Sequence, residues 1–364
     1  MNAMRRHRTL AATVAAVVVV VGLTTSTGPT ATPDAHADPL GSAGILAPTP
    51  DEVIDPFYLP PVDLPATPGA VIKTEPTTIS ATLPGADSTW PANRTRIMFT
   101  SRDVHDRPAA VTAMIIEESG PWHGPGERPT VVIAPGTTGQ GDRCAISLTA
   151  PSGLWAGANP DPYFSANQEI VSAAKWHARG TRVVLTDYIG LGTPGIHTYV
   201  NRVETGRAVL DAARAARDLA GGSSPPLLWG YSQGGGATAA AAELQPTYAP
   251  ELDLRGVWAG APVADLEQVL HVADGGLIGG VIGWTINGYV DRYPQLRPML
   301  EAGISDKGRA LLDASATKCI GDIIVKAPFT HTSDLTVDGR GLGEWLQEFP
   351  EALEIILEQR IGTL

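Results

Sequence analysis

The residues best suited to chemistry lie in Leu227-Leu228-Trp229-Gly230-Tyr231-Ser232-Gln233-Gly234-Gly235-Gly236, where a short apolar run ends in Gly-x-Ser-x-Gly and enters an alanine-rich segment, Ala237–Glu243. The pattern reads as strand, sharp turn and helix. A serine at the tip of such a turn has its hydroxyl pushed out of the sheet, and the free N–H groups of the following helix face any charge that develops there. Gly230 and Gly234 remove side chains that would collide with neighbouring backbone. The chemistry implied is nucleophilic acyl transfer at Ser232, the competing reading being an ordinary glycine-rich turn.

A second loop suits the same chemistry. Pro129–Ala134 is a continuous apolar run fit for a strand buried on both faces, and it ends in Pro135-Gly136-Thr137-Thr138-Gly139-Gln140-Gly141-Asp142-Arg143-Cys144. Small residues at the carboxyl end of a central strand let backbone N–H groups approach a substrate closely, as an oxyanion hole requires. A phosphate-binding loop would need Lys-Ser/Thr at the end of the glycine run, which is absent.

The elements needed to hold these loops are legible around them. Thr95–Thr100 and Ala109–Ile116 alternate like strands about a turn at Asp103–Arg107, predicting an antiparallel meander. From Ala166 onward helix and strand alternate: a helix over Ala166–Arg179, a strand over Thr181–Tyr188, a helix over Val203–Ala220, then the strand that delivers Ser232. Gly256–Pro262 reads as a further core strand. The pattern predicts an α/β fold with a mostly parallel central sheet and ligand chemistry at the carboxyl ends of its strands. Beyond it, Asp265–Val272, Gly275–Tyr289 and Lys307–Ala316 read as apolar helices, either a cap over the site or simple core packing.

The chain has 364 residues and a net charge of −12, which makes nucleic acid or an anionic membrane surface an unsuitable partner. Arg5, Arg6 and Arg8 precede an apolar run from Leu10 to Leu23 and the small-x-small site Ala35-His36-Ala37. This is the pattern of a secretory signal peptide over residues 1–37, with secretion and no membrane-spanning segment in the mature chain as the expectation. The proline-rich stretch from Asp38 to residue 70 reads as an extended arm whose Phe57-Tyr58 pair packs on the body, residues 71–262 as the core, 263–345 as the cap and 346–364 as the start of a further core segment. Two cysteines, Cys144 and Cys319, in an exported chain are expected to form a disulfide. No cofactor or metal is called for.

Together the Asp55-Pro56-Phe57-Tyr58 arm, the Gly136–Cys144 loop, Gly230-Tyr231-Ser232-Gln233-Gly234 and a helical region reaching Cys319 make the chain resemble the secretory lipase family of actinobacteria and fungi, lipases of the Candida lipase A type. The resemblance implies an α/β-hydrolase with a helical cap that cleaves carboxylic esters or triacylglycerols. It implies Ser232 as nucleophile, the backbone N–H groups of Gln233 and Thr138 as oxyanion donors, with Thr137 competing for the second place, and a Cys144–Cys319 bridge from the oxyanion loop to the cap. The family's acid and histidine follow the cap and two more strands. Only His271 and His331 follow Ser232 here, both in the cap-like region, so the sequence reads as truncated at its carboxyl end. A non-catalytic hydrolase-like protein and an acyltransferase are the alternatives.

Overall fold

In the computed structural model, residues 55–79, 92–157, 163–222 and 224–363 are described. The expected signal peptide and most of the expected arm lie outside them. Three antiparallel strands open the structure, β1 (Val71–Thr77), β2 (Arg94–Arg102) and β3 (Pro108–Ile116). Four parallel strands follow: β4 (Thr130–Ala134), β7 (Arg182–Thr186), β8 (Pro226–Tyr231) and β9 (Gly256–Gly260). Between β4 and β7 a small separate hairpin is formed by β5 (Leu154–Gly157) and β6 (Tyr163–Ala166). The main sheet has the order β1-β2-β3-β7-β4-β8-β9, with β3 antiparallel to β7. This is the mixed sheet, antiparallel at one end and parallel through the middle, that the alternating and continuous apolar runs specify.

Period two along the central strands sends residues to two faces. Val132, Ala134 and Val184 enter one apolar cluster with the alanine-rich helix α3 (Arg202–Leu219) and α4 (Gln233–Tyr248). Val131, Ile133, Val183 and Leu185 enter a second cluster with Ile146 of α1 (Ile146–Thr149) and Ile170 and Ala173 of α2 (Glu169–His177). Small side chains let α3 and α4 approach closely, and a Cβ at Gly206 would lie 3.0 Å from the Ala241 nitrogen. Asn201 starts α3 by accepting the Glu204 N–H at 3.1 Å.

After β9 the chain is helical: α5 (Leu266–Ala273), α6 (Ile282–Arg292), α7 (Arg297–Gly303), α8 (Asp306–Ser315), α9 (Ile320–Lys326), α10 (Leu342–Glu348) and α11 (Pro350–Leu357). Leu266 and Leu270 of α5, Ile282 and Tyr289 of α6, Leu346 of α10 and Ile355 of α11 share one apolar cluster. Among the described residues no helix is long and apolar enough to cross a membrane.

Two sequence readings change. The helix over Ala166–Arg179 is shorter, because residues 163–166 pair with 154–157 as a hairpin strand. The run Gly256–Pro262 is a strand over Gly256–Gly260 only, ending two residues early, and among the described residues it pairs with β8 alone, with Val257 and Trp258 37% and 42% exposed. Apolar sequence marks a strand that can be covered on both faces, and the covering elements are a tertiary matter.

Phe57 and Tyr58 pack on the body as expected, both buried. The Tyr58 and Ser147 hydroxyls are hydrogen-bonded at 2.9 Å, and Ser147 donates its hydroxyl to the fully buried Asp187, which also accepts the Thr112 hydroxyl at 2.7 Å. Burial pushes the Asp187 carboxyl up to about 6 from 3.8, although these donors oppose the shift. A carboxyl with a raised folded pKa contributes stability below its unfolded value and loses it as pH rises through the folded one. Asp187→Asn should therefore flatten the stability profile between about pH 4 and pH 7, removing a fall of roughly 3 kcal/mol on the wild-type curve, as read by urea unfolding.

Candidate functional site

Ser232 sits between β8 and α4 with φ 58° and ψ −118°, a conformation that costs on the order of 1–3 kcal/mol for a residue with a side chain. The flanking glycines show why the turn closes. A Cβ at Gly230 would lie 2.0 Å from the Gly234 carbonyl oxygen, and one at Gly234 would lie 2.1 Å from the Ala134 oxygen on β4. The turn is thus pressed against its own helix and against the adjacent strand. Ser232 donates its N–H to Gly260 O at 2.9 Å, and Ser232 O accepts the Gly236 N–H at 3.0 Å. Its hydroxyl caps nothing, and among the described residues it has no hydrogen-bond partner. The Gln233 N–H, at the first position of α4, is likewise without an acceptor there.

The loop after β4 is fixed from three sides. Gly136 donates its N–H to Glu169 Oε1 at 2.8 Å, and Thr137 and Tyr199 share a hydroxyl hydrogen bond of 2.8 Å. Ile320 donates to Thr138 O at 2.8 Å, and Gln140 donates to Lys318 O at 3.0 Å, so the loop forms a short antiparallel bridge with the segment around Cys319. The Cys144–Cys319 disulfide covers that bridge, closing a sequence separation of 175. Gly139, at φ 152°, is required here, since a Cβ would lie 2.6 Å from both Cys144 Sγ and Lys318 O. The Thr137 and Thr138 N–H groups have no acceptor among the described residues, which keeps both available as donors.

Neither candidate base reaches the serine. His271 lies on the exposed side of α5, and His331, 62% exposed, packs over Gly275 with Nδ1 4.0 Å from Asp274. No hydrogen bond joins either to Ser232. Sequence reasoning missed a different histidine. His197 is fully buried beside the site, its Nε2 2.9 Å from Gln233 Nε2 and its Nδ1 3.2 Å from Ile189 O. Burial drives its pKa down to about 4, and the charge of Arg292 pushes the same way, so the ring is neutral. The one available signal was its place in a glycine-rich loop after a central strand.

A seven-stranded sheet, a serine at positive φ between strand and helix, and a glycine loop on the neighbouring strand define an α/β-hydrolase fold with a sharp strand-to-helix elbow. Candida antarctica lipase A in its closed state matches this fold with a TM-score of 0.69 at 22% identity, covering 86% of this chain and 70% of that one. The cell-wall-degrading esterase LipA of Xanthomonas oryzae matches with a TM-score of 0.60 at 18% identity, over 81% of this chain and 79% of that one. The secretory lipase family pattern matches residues 163–361, more than half of the chain, and this protein belongs to that family.

Among curated relatives, a probable inactive lipase of Mycobacterium tuberculosis is 27% identical over 334 residues, 85% of this chain and 67% of that protein. A trichothecene C-3 esterase of Fusarium sporotrichioides is 28% identical over 263 residues, 69% of this chain and 55% of that protein. Lipase 2 of Candida albicans is 35% identical over 158 residues, 41% of this chain and 33% of that protein. The chain spans between a third and about two thirds of the lengths of these relatives.

Two consequences are measurable. Gly234→Ala should destabilise the chain by about 3 kcal/mol or more in urea unfolding, because the clash is with backbone. Gly236→Ala, whose added Cβ would first meet an atom at 3.4 Å, should be neutral or stabilising by up to ~1 kcal/mol. Replacing both cysteines by serine should lower stability by roughly 5 kcal/mol less whatever strain the native bridge carries, the loop entropy released to the unfolded chain. An unchanged unfolding midpoint would refute that account.

Proposed function

We propose that this chain is a secreted serine hydrolase that cleaves carboxylic esters, including those of acylglycerols, through an acyl-enzyme at Ser232. The observation that carries the reading is the positive-φ serine with an unbonded hydroxyl at the start of α4, beside a glycine loop whose Thr137 and Thr138 N–H groups have no acceptor among the described residues. Family membership and the lipase and esterase names of its relatives support the substrate class. Ser232 Oγ attacks the ester carbonyl carbon and gives up its proton to a base. The carbonyl oxygen becomes an oxyanion held by the N–H groups of Gln233 and Thr138, both without an acceptor among the described residues, with the Thr137 N–H as the competing second donor. Collapse expels the alcohol, which takes up the proton, and water then hydrolyses the acyl-enzyme to acid and free serine. The helices α5 to α10 act as a cap over the acyl chain, and residues 1–37 direct export.

A second reading is favoured by one observation. Among the described residues no base is bonded to Ser232, and a serine hydroxyl without one is a poor nucleophile. On that reading this chain binds esters without turning them over; the mycobacterial relative is itself named a probable inactive lipase.

The two are separated by incubating the chain with an alkyl fluorophosphonate and with p-nitrophenyl esters beside Ser232→Ala. The hydrolase reading expects a single phosphonyl adduct on Ser232 and ester hydrolysis that the variant lowers by at least about 10³-fold. Equal behaviour of wild type and Ser232→Ala sinks it, and ester binding without turnover or adduct would establish the second reading.

A further inference from the structure

We propose that His197 is a positioning residue for the oxyanion hole: it fixes the side chain of Gln233, and so the direction of the Gln233 backbone N–H, and it ties that donor to the opposing loop. The role rests on the serine-hydrolase reading above.

The argument begins with tautomers. His197 Nδ1 faces the Ile189 carbonyl, which only accepts, so Nδ1 carries the hydrogen. Nε2 is then a lone-pair acceptor, and the Gln233 amide donates to it at 2.9 Å. Both groups are buried, Gln233 at 3% and His197 at 0% exposure, so losing this bond would strand two polar groups away from water. The first residue of α4 is thereby anchored through its side chain while its backbone N–H stays unbonded. Without that anchor, the N-terminal turn of a helix is the part freest to fray.

His197 is itself over-determined. Its ring stacks on Tyr188 at 5.4 Å with 9° between planes, and Tyr188 donates its hydroxyl to Pro135 O at the root of the oxyanion loop. Its carbonyl accepts the Gln140 side-chain amide at 3.0 Å, and the same amide donates to Trp284 O on α6 at 2.9 Å. Asn287, also on α6, donates to Gln140 Oε1 at 3.0 Å. One continuous buried network therefore joins helix α6, the loop that carries Thr138, and the residue after the nucleophile. Its ring nitrogens are both engaged away from Ser232, so His197 acts through Gln233 and takes no proton from the serine.

The test is a double-mutant cycle on full-length protein, reading the rate of Ser232 phosphonylation by an alkyl fluorophosphonate. His197→Phe keeps a ring to stack on Tyr188 and removes both nitrogens, and Gln233→Leu removes the side-chain amide but keeps the backbone N–H. Each should lower the maximal labelling rate about 10-fold with the half-saturating concentration within about twofold, and the double variant should fall no further than either. His197→Gln, which retains an acceptor, should recover part of the loss and serves in place of His197→Phe should that variant fail to fold. In histidine-labelled ¹⁵N spectra at neutral pH, one ring should show the Nδ1–H tautomer, with an Nε2 signal that moves in Gln233→Leu.

Additive losses, wild-type labelling in the folded His197 variants, or an Nε2–H tautomer would overturn the proposal while leaving the hydrolase reading intact. No adduct on wild-type Ser232 would overturn that reading and this role with it.

Discussion

The turn at Ser232 holds a residue with a side chain at positive φ, and its surroundings are arranged to make that tolerable. The constraint that ties the turn to the sheet is the contact of Gly234 with the Ala134 carbonyl, which presses the start of α4 against β4. That contact exists only if β4 and β8 run parallel in register, Ala134 opposite Gly230, and if α4 lies against the same sheet. The strain of the elbow is thus offset by the sheet and by the α3–α4 layer, where alanine and glycine permit close approach. A left-handed serine in an isolated peptide would relax, whereas here every relaxation moves a helix or a strand.

Because β4 and β8 pair in register, the loop that leaves β4 starts beside the turn, where a Cβ on Gly136 would lie 3.4 Å from the Tyr231 carbonyl oxygen. That loop is built from small residues and would be poorly ordered alone. Its order is imported from the disulfide and backbone bridge to the segment around Cys319, and from the Gln140 bonds to His197 and to α6. Helix α6, which supplies Trp284 and Asn287 to this network, also shares an apolar cluster with α5, α10 and α11. Any displacement of the helical region is therefore felt at the glycine loop. Rigid packing transmits such movement because buried side chains have few alternative arrangements.

The other side of β8, toward β9, is organised differently. Trp229 and Trp258 stack at 4.1 Å, Tyr231 continues the stack, and Tyr231 and Trp258 remain exposed. Ser232 is firmly supported on the β4 side, whereas on the β9 side its support among the described residues is that strand and the Ser232 bond to Gly260.

Local sequence decided the parts whose physics is local. Continuous apolar runs fixed β4, β7 and β8; alternation fixed the antiparallel meander; and Gly-x-Ser-x-Gly between strand and helix put Ser232 at the sharp turn, since only glycine fits beside backbone at 2.0 to 2.1 Å. Two lone cysteines in a chain with an export pattern were enough to expect the bridge. Tertiary structure alone decided which residues meet across long separations. Among the described residues it left β9 paired with β8 alone, because strand pairing depends on partners and not on hydrophobicity. It also kept His271 and His331 away from the serine and brought His197 to Gln233. That last pairing joins residues 36 positions apart, and its geometry depends on two loops from different strands converging, which no periodicity in the sequence encodes.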